Sequence, residues 1–144
     1  MDLDLKLKGE ECLTIPSATV RDISEVKDLV ESMKTKMVEW NGIGLAAPQV
    51  GRNVRVLVIK LATGQIAEMI NPRISWCSED RVKIEEGCLS IPGKFKWIER
   101  PAKVRVKFQN SLGEFKYWCL QNMDARVFLH EYDHLEGILM TDLL

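Results

Sequence analysis

Histidine is the scarcest chemistry-bearing residue of this chain: there are two, and they stand four apart in His130-Glu131-Tyr132-Asp133-His134. Two histidines dropped at random into 144 positions fall four apart in roughly 1.4% of cases, and a Glu directly after the first lowers that to about one in a thousand, so this H-E-x-x-H pattern is read as chemistry. On a helix the two imidazoles leave one face a turn apart and can share one metal ion. Glu131 is then rotated about 100° from His130. That places it beside the ion rather than on it, where a base for a metal-activated water belongs.

Two imidazoles are too few for a catalytic site, which takes three protein ligands and keeps a fourth position open. Gly137 fits the extended H-E-x-x-H-x-x-G-x-x-H pattern, but Met140 stands where that pattern has its third histidine. Only ten residues follow His134, too few for an acidic ligand some twenty residues on, so the third ligand is sought upstream. Cys88 is the strongest candidate. It lies in Glu86-Gly87-Cys88-Leu89-Ser90 just past an expected strand, and a thiolate there is a strong transition-metal ligand that the metal itself deprotonates. A further unusual stretch is Gly42-Ile43-Gly44-Leu45-Ala46-Ala47-Pro48-Gln49. Its small residues permit close approach of backbone or ligand, and the Gln49 amide is a neutral donor suited to an oxyanion. Cys12, Cys77 and Cys119 form no C-x-x-C pair and are expected to be free, small buried hydrophobes.

The elements that must position these residues are legible from periodicity. Ile23, Val26, Leu29, Val30, Met33 and Met37 form one stripe, which predicts an amphipathic helix over residues 23–40 ended by Asn41-Gly42. Val54–Ile59 reads as a β-branched strand, with a turn at Thr63-Gly64 before Gln65–Ile70. Asn71-Pro72 is expected to interrupt, with Arg73–Cys77 and Arg81–Glu86 flanking a turn at Ser78-Glu79-Asp80. Val104, Val106 and Phe108 alternate with Arg and Lys, as in a sheet with one solvated face, and after a turn near Asn110–Gly113 the alternation resumes at Phe115, Tyr117 and Cys119. The motif helix is expected to start at Asn122 as N-cap and to stop before Gly137. One helix, many antiparallel strands and a second helix make an α+β domain, with the sheets around the H-E-x-x-H helix.

Composition bounds the rest. The chain is one domain long (residues 1–144), without repeats or linkers, and at 46% hydrophobic it can bury its own core. With 20 Lys+Arg against 21 Asp+Glu the net charge is −1, which argues against a nucleic-acid or polybasic membrane-surface partner. No apolar run approaches the roughly 18 residues of a membrane span. Met1–Lys6 has no signal or transit character, so the protein is expected to stay where it is made.

The three stretches around Gln49, Cys88 and His130, in this order, resemble the motifs of the peptide deformylases. Flanking segments such as Ile70-Asn71-Pro72, Leu89-Ser90-Ile91-Pro92-Gly93 and Asp133-His134-Leu135-Glu136-Gly137 extend the likeness from about Leu13 to the C-terminus. The resemblance implies that Cys88, His130 and His134 hold a divalent metal, Fe²⁺ in the cell with Zn²⁺, Ni²⁺ or Co²⁺ as substitutes. It implies that Glu131 shuttles the proton while Gln49 and the backbone N–H of Leu89 stabilise the oxyanion. Ile43, Gly44, Glu86 and Gly87 are implied to flank the substrate, whose extended main chain pairs with protein backbone. The implied reaction removes formate from the formyl-methionine of nascent polypeptides, in the cytoplasm of a bacterial or virus-infected bacterial cell, by a monomer. Two departures stand out. Leu129 occupies a position that is often Gln in the family, so a hydrogen bond behind the metal ligands is expected to be missing. The chain ends at Leu144 without the C-terminal helix of many bacterial members, so docking on the ribosome through such a helix is not assumed. A metallo-endopeptidase shares H-E-x-x-H but is disfavoured by the upstream cysteine; a metal-stapled binding module needs a fourth ligand, and no further histidine supplies one.

Overall fold

The structure is a computed structural model that describes residues 2–143. The predicted stripe forms helix α1 (Lys27–Glu39) behind a 3-10 turn at Ile23–Val26, where the Asp22 carboxylate accepts the Ser24 N–H at 3.0 Å. α1 buries Leu29, Val30, Met33 and Met37, and Asn41 ends it in the left-handed region at φ 57°.

Five antiparallel strands make the main sheet: β1 (Gly44–Ala46), β2 (Val56–Lys60), β3 (Ile66–Cys77), β6 (Lys103–Gln109) and β7 (Phe115–Gln121), in the order β1-β2-β3-β6-β7. A second, two-stranded sheet joins β4 (Arg81–Cys88) to β5 (Ile91–Pro101). Helix α2 (Asn122–Leu135) carries the histidines. Its apolar face, with Phe128 wholly buried, packs with Leu57, Ile59, Met69, Val104, Val106 and Phe108 on one side of the main sheet. α1 packs with Val56, Val58 and Ile70 on the other. β2 is therefore covered on both faces, which is why Val56–Ile59 is an unbroken apolar run.

Four expectations need correction. β3 continues through Asn71-Pro72: the register shifts between Ile70 and Arg73, Asn71 sits at φ 52°, and this bulge absorbs the N–H that proline lacks. The Asn71 side chain braces the bulge with two 2.8 Å hydrogen bonds to the Val20 backbone. β5 lies where no strand was expected, because Pro92-Gly93 reads as punctuation although Phe95–Arg100 pairs in register with Val82–Gly87. Asn122 is the first helical residue at φ 55°, and Gln121 takes the cap position without a side-chain bond. Cys77 and Cys119 are exposed, not buried: on β7 it is Trp118 and Leu120 that pack against the core, and Phe115, Tyr117 and Cys119 that face outward. Gly137 ends α2 as predicted, at φ 76°, and a Cβ there would lie 2.8 Å from the Thr14 carbonyl oxygen. No other residue fits that place.

Candidate active site

The tip of the β4–β5 hairpin meets the buried face of α2. The ladder breaks between Gly87 and Cys88, turning the Cys88 sulfur toward the helix. The donor atoms of Cys88, His130 and His134 lie within 4.8 Å of one another, and Cys88 Sγ is 3.4 Å from His134 Nε2. That separation suits two ligands of one ion held at about 2.0–2.3 Å. His134 is almost wholly buried, and burial together with the neighbouring charges of His130 and Arg100 pushes its pKa down to about 3, so it stays neutral and able to ligate. Burial also works against a charge on His130, but hydrogen bonds to Cys88 and Glu86 and the charge of Glu131 outweigh it and raise its pKa to about 10. The field inside the site thus calls for a positive charge among the three donors. A metal cation supplies it in place of the proton, so the donor set fits a transition-metal ion.

His130 is aimed by what stands behind it. Its Nδ1 lies 2.8 Å from Glu86 Oε1, leaving Nε2 as the ligating nitrogen. Glu86 in turn accepts from Arg100 at 2.6 and 3.0 Å and from Arg126 at 2.7 Å. Burial alone would raise the Glu86 pKa, but His130, Arg100 and Arg126 together hold it down at about 2. Arg126 also binds the Val82 and Ile98 carbonyls, and Arg100 reaches Asp133 at 2.7 Å. Glu86, expected to flank the substrate, stands in the structure behind His130. Both of its oxygens are taken by His130 and the two guanidinium groups, so it orients a ligand from within the protein. Arg100, Arg126 and Asp133 were missed in the sequence. Arg126 carried one usable signal, since it precedes His130 by four residues and so shares its helix face.

Glu131 lies against the edge strand. A Cβ on Gly44 would fall 2.5 Å from Glu131 Oε2, so glycine is what lets the carboxylate enter. Glu131 Oε1 is buried without a hydrogen-bond partner among the described residues, and burial pushes the pKa up to about 7 against the pull of His130 and Arg100. A carboxyl poised there exchanges protons near neutrality. Gln49 is fixed by its Oε1 accepting the Ala46 N–H at 2.9 Å, while its Nε2 donates to Ser90 Oγ at 3.1 Å and lies 3.8 Å from Cys88 Sγ. Ile43, Gly44, Gln49, Gly87, Cys88, Leu89, His130 and Glu131 all line one open pocket of about 520 Å³, with Phe95 and Pro92 at its wall. Leu129 is buried in the apolar cluster against the main sheet and places no polar group behind the ligands.

The polypeptide deformylase family model matches residues 4–144. The chain belongs to the polypeptide deformylase family. A peptide deformylase of Clostridium perfringens is 42% identical over 135 residues, covering 93% of this chain and 87% of that protein. Among solved structures, a probable peptide deformylase from Synechococcus phage S-SSM7 superposes with a TM-score of 0.92 at 42% identity, covering 99% of this chain and 100% of that one. The peptide deformylase of Synechococcus elongatus, solved in complex with actinonin, gives 0.94 at 38% identity over 99% of this chain and 78% of that one. Deformylases are hydrolases that depend on a metal, and among the described residues of this chain Cys88, His130 and His134 form a group that could hold one.

Proposed function

We propose that this deformylase removes the formyl group from the N-terminal formyl-methionine of nascent peptides, releasing formate, with a divalent metal held by Cys88, His130 and His134. One observation carries the reading: the donors of Cys88, His130 and His134 converge beside an unpartnered Glu131 carboxylate and the Gln49 amide, with Cys88, His130, Glu131 and Gln49 lining one pocket and His134 buried behind it. When bound, the ion acts as a Lewis acid at the reacting carbonyl and acidifies water. Fe²⁺ is the ion we assign in the cell, with Zn²⁺, Ni²⁺ and Co²⁺ as substitutes, because sulfur and imidazole donors accept all four.

Glu131 takes the proton from the attacking water and returns it to the leaving amine, which its raised pKa suits. Gln49 and Leu89 line the pocket, and we assign the Gln49 Nε2 and Leu89 N–H to the negative charge that develops on the formyl oxygen. β1 is an edge strand, so the extended substrate can add to its free side past Ile43 and Gly44, with Gly87 on the opposite wall. Actinonin, which the Synechococcus elongatus relative binds, is expected to occupy this same pocket. We place the enzyme in the cytoplasm of a bacterial or virus-infected bacterial cell, acting as a monomer.

The test is formate release from a formyl-Met peptide by protein reconstituted anaerobically with Fe²⁺ or Ni²⁺. Release that depends on metal and is blocked by actinonin is the expected result. A metal-loaded protein that releases no formate, or that cleaves internal peptide bonds instead, would overturn the reading.

A further inference from the structure

The side of the main sheet that α1 covers is covered only in part. α1 packs over Val56, Val58 and Ile70, but among the described residues no element covers the same side of β6, β7 and the end of β3. Register places the outward residues in rows: Arg73 opposite Lys107 opposite Tyr117, Trp76 opposite Arg105 opposite Cys119, and Gln109 opposite Phe115. Four cations, with Lys103, thus share one face with three aromatic rings, and Arg73–Cys77, Lys103–Gln109 and Phe115–Gln121 contain no Asp or Glu. The rings are open, with Trp76 41%, Phe115 57% and Tyr117 70% exposed. The cations have no carboxylate among the described residues; Arg105 lies 4.9 Å over the Trp76 ring, and Lys107 4.9 Å over Phe115 and 5.5 Å over Tyr117. At its end the face runs into a groove of about 700 Å³ that shares no lining residue with the pocket of the metal site.

We propose that this face binds single-stranded nucleic acid. Lys103, Arg105 and Lys107 alternate along β6 about 6.7 Å apart, close to the step between neighbouring phosphates of an extended strand. The rings of Trp76, Tyr117 and Phe115 lie among them as stacking platforms, the combination by which sheets hold unpaired bases without reading their sequence. An acidic protein segment would satisfy the cations but leave the three rings uncovered. The net charge of −1 does not argue otherwise, because it averages these three acid-free strand segments with a surface that is acidic elsewhere.

Fluorescence anisotropy with the metal-loaded full chain tests the proposal, using labelled U12 RNA, dT12 DNA and a 12-base-pair RNA duplex, with polyglutamate as competitor. Both single strands are expected to bind and the duplex more weakly. Raising NaCl from 50 to 200 mM should weaken U12 binding about 50-fold, the slope for four neutralised phosphates on a single strand. Trp76→Ala or Tyr117→Ala should each cost at least about 5-fold. The charge reversal Arg105→Glu with Lys107→Glu should abolish binding while melting temperature and formate release stay at native values. Absence of binding by the native protein overturns the proposal. So does equal competition by polyglutamate with no effect of Trp76→Ala and Tyr117→Ala, which identifies a cationic patch only, and so does equal or tighter duplex binding.

Discussion

Glu131 and Glu86 are both buried carboxyls, and their surroundings drive them in opposite directions. Glu131 meets burial with an unpartnered oxygen and stays near neutrality; Glu86 meets it with two guanidinium groups and an imidazole and remains ionised. Different losses follow. Glu131→Gln is expected to keep metal content and fold while lowering turnover roughly 10²–10⁴-fold, the worth of general acid–base transfer; metal analysis beside a formate assay checks it, and joint loss of metal and turnover would make Glu131 a ligand. Glu86→Gln is expected to act through His130, weakening metal affinity about 10–100-fold with residual turnover once metal is saturating. A chelator titration read against activity separates the two. The convergence of Cys88, His130 and His134 was legible because H-E-x-x-H and an upstream cysteine carry chemistry that few other patterns need. The guanidinium groups behind it were not, since the register sets Arg100 opposite Val82 and only its long side chain in the folded hairpin reaches Glu86.

At the level of elements, two glycines do opposite work. Gly44 opens the edge strand to Glu131, so Gly44→Ala forces its Cβ into the carboxylate and should displace the proton carrier while leaving the helix packed. Loss of turnover with native melting and metal content is the expected signature. Gly137 instead terminates α2 in the left-handed region against backbone, and Gly137→Ala is strained both by φ and by the Thr14 carbonyl. It should cost about 1–3 kcal/mol of stability, read by denaturant unfolding, and disturb activity only through the fold. Amphipathic α1 and the alternation of β6 were plain in the sequence because each has a single buried face. β5 and the continuation of β3 were hidden, as proline and glycine signal a break to any local reading whereas a bulge or hairpin partner lets the strand run on.

Over the whole molecule, the site is a concentration of charge and burial that ties stability to pH and to metal. Without metal, Glu86 is held at about 2 and His134 at about 3, both below their unfolded values, so the stability they add is full above about 4.5 and 6.5 and drains away as pH falls through those ranges. His130, raised to about 10, adds stability that is full below about 6.5 and is lost as pH rises toward 10; Glu131, raised to about 7, is likewise lost on rising from about 4.5. Between about 4.5 and 6.5 the changes at His134 and Glu131 oppose each other, so the metal-free protein should melt highest in that window. A bound ion changes the balance because it requires both imidazoles neutral and takes over the positive charge that the His130 proton provides. The metal-loaded protein should therefore keep its melting temperature from pH 6.5 to 9, where the metal-free form declines. Below about pH 5 protons should displace the ion and the two curves should meet. Thermal melts across pH 4 to 9 with Ni²⁺ or with chelator measure both effects. A metal-free protein whose melting temperature is flat from 6.5 to 9 would show that Cys88, Glu86 and Glu131 do not hold a cation at His130, and the electrostatic account of why this pocket takes a metal would fail with it.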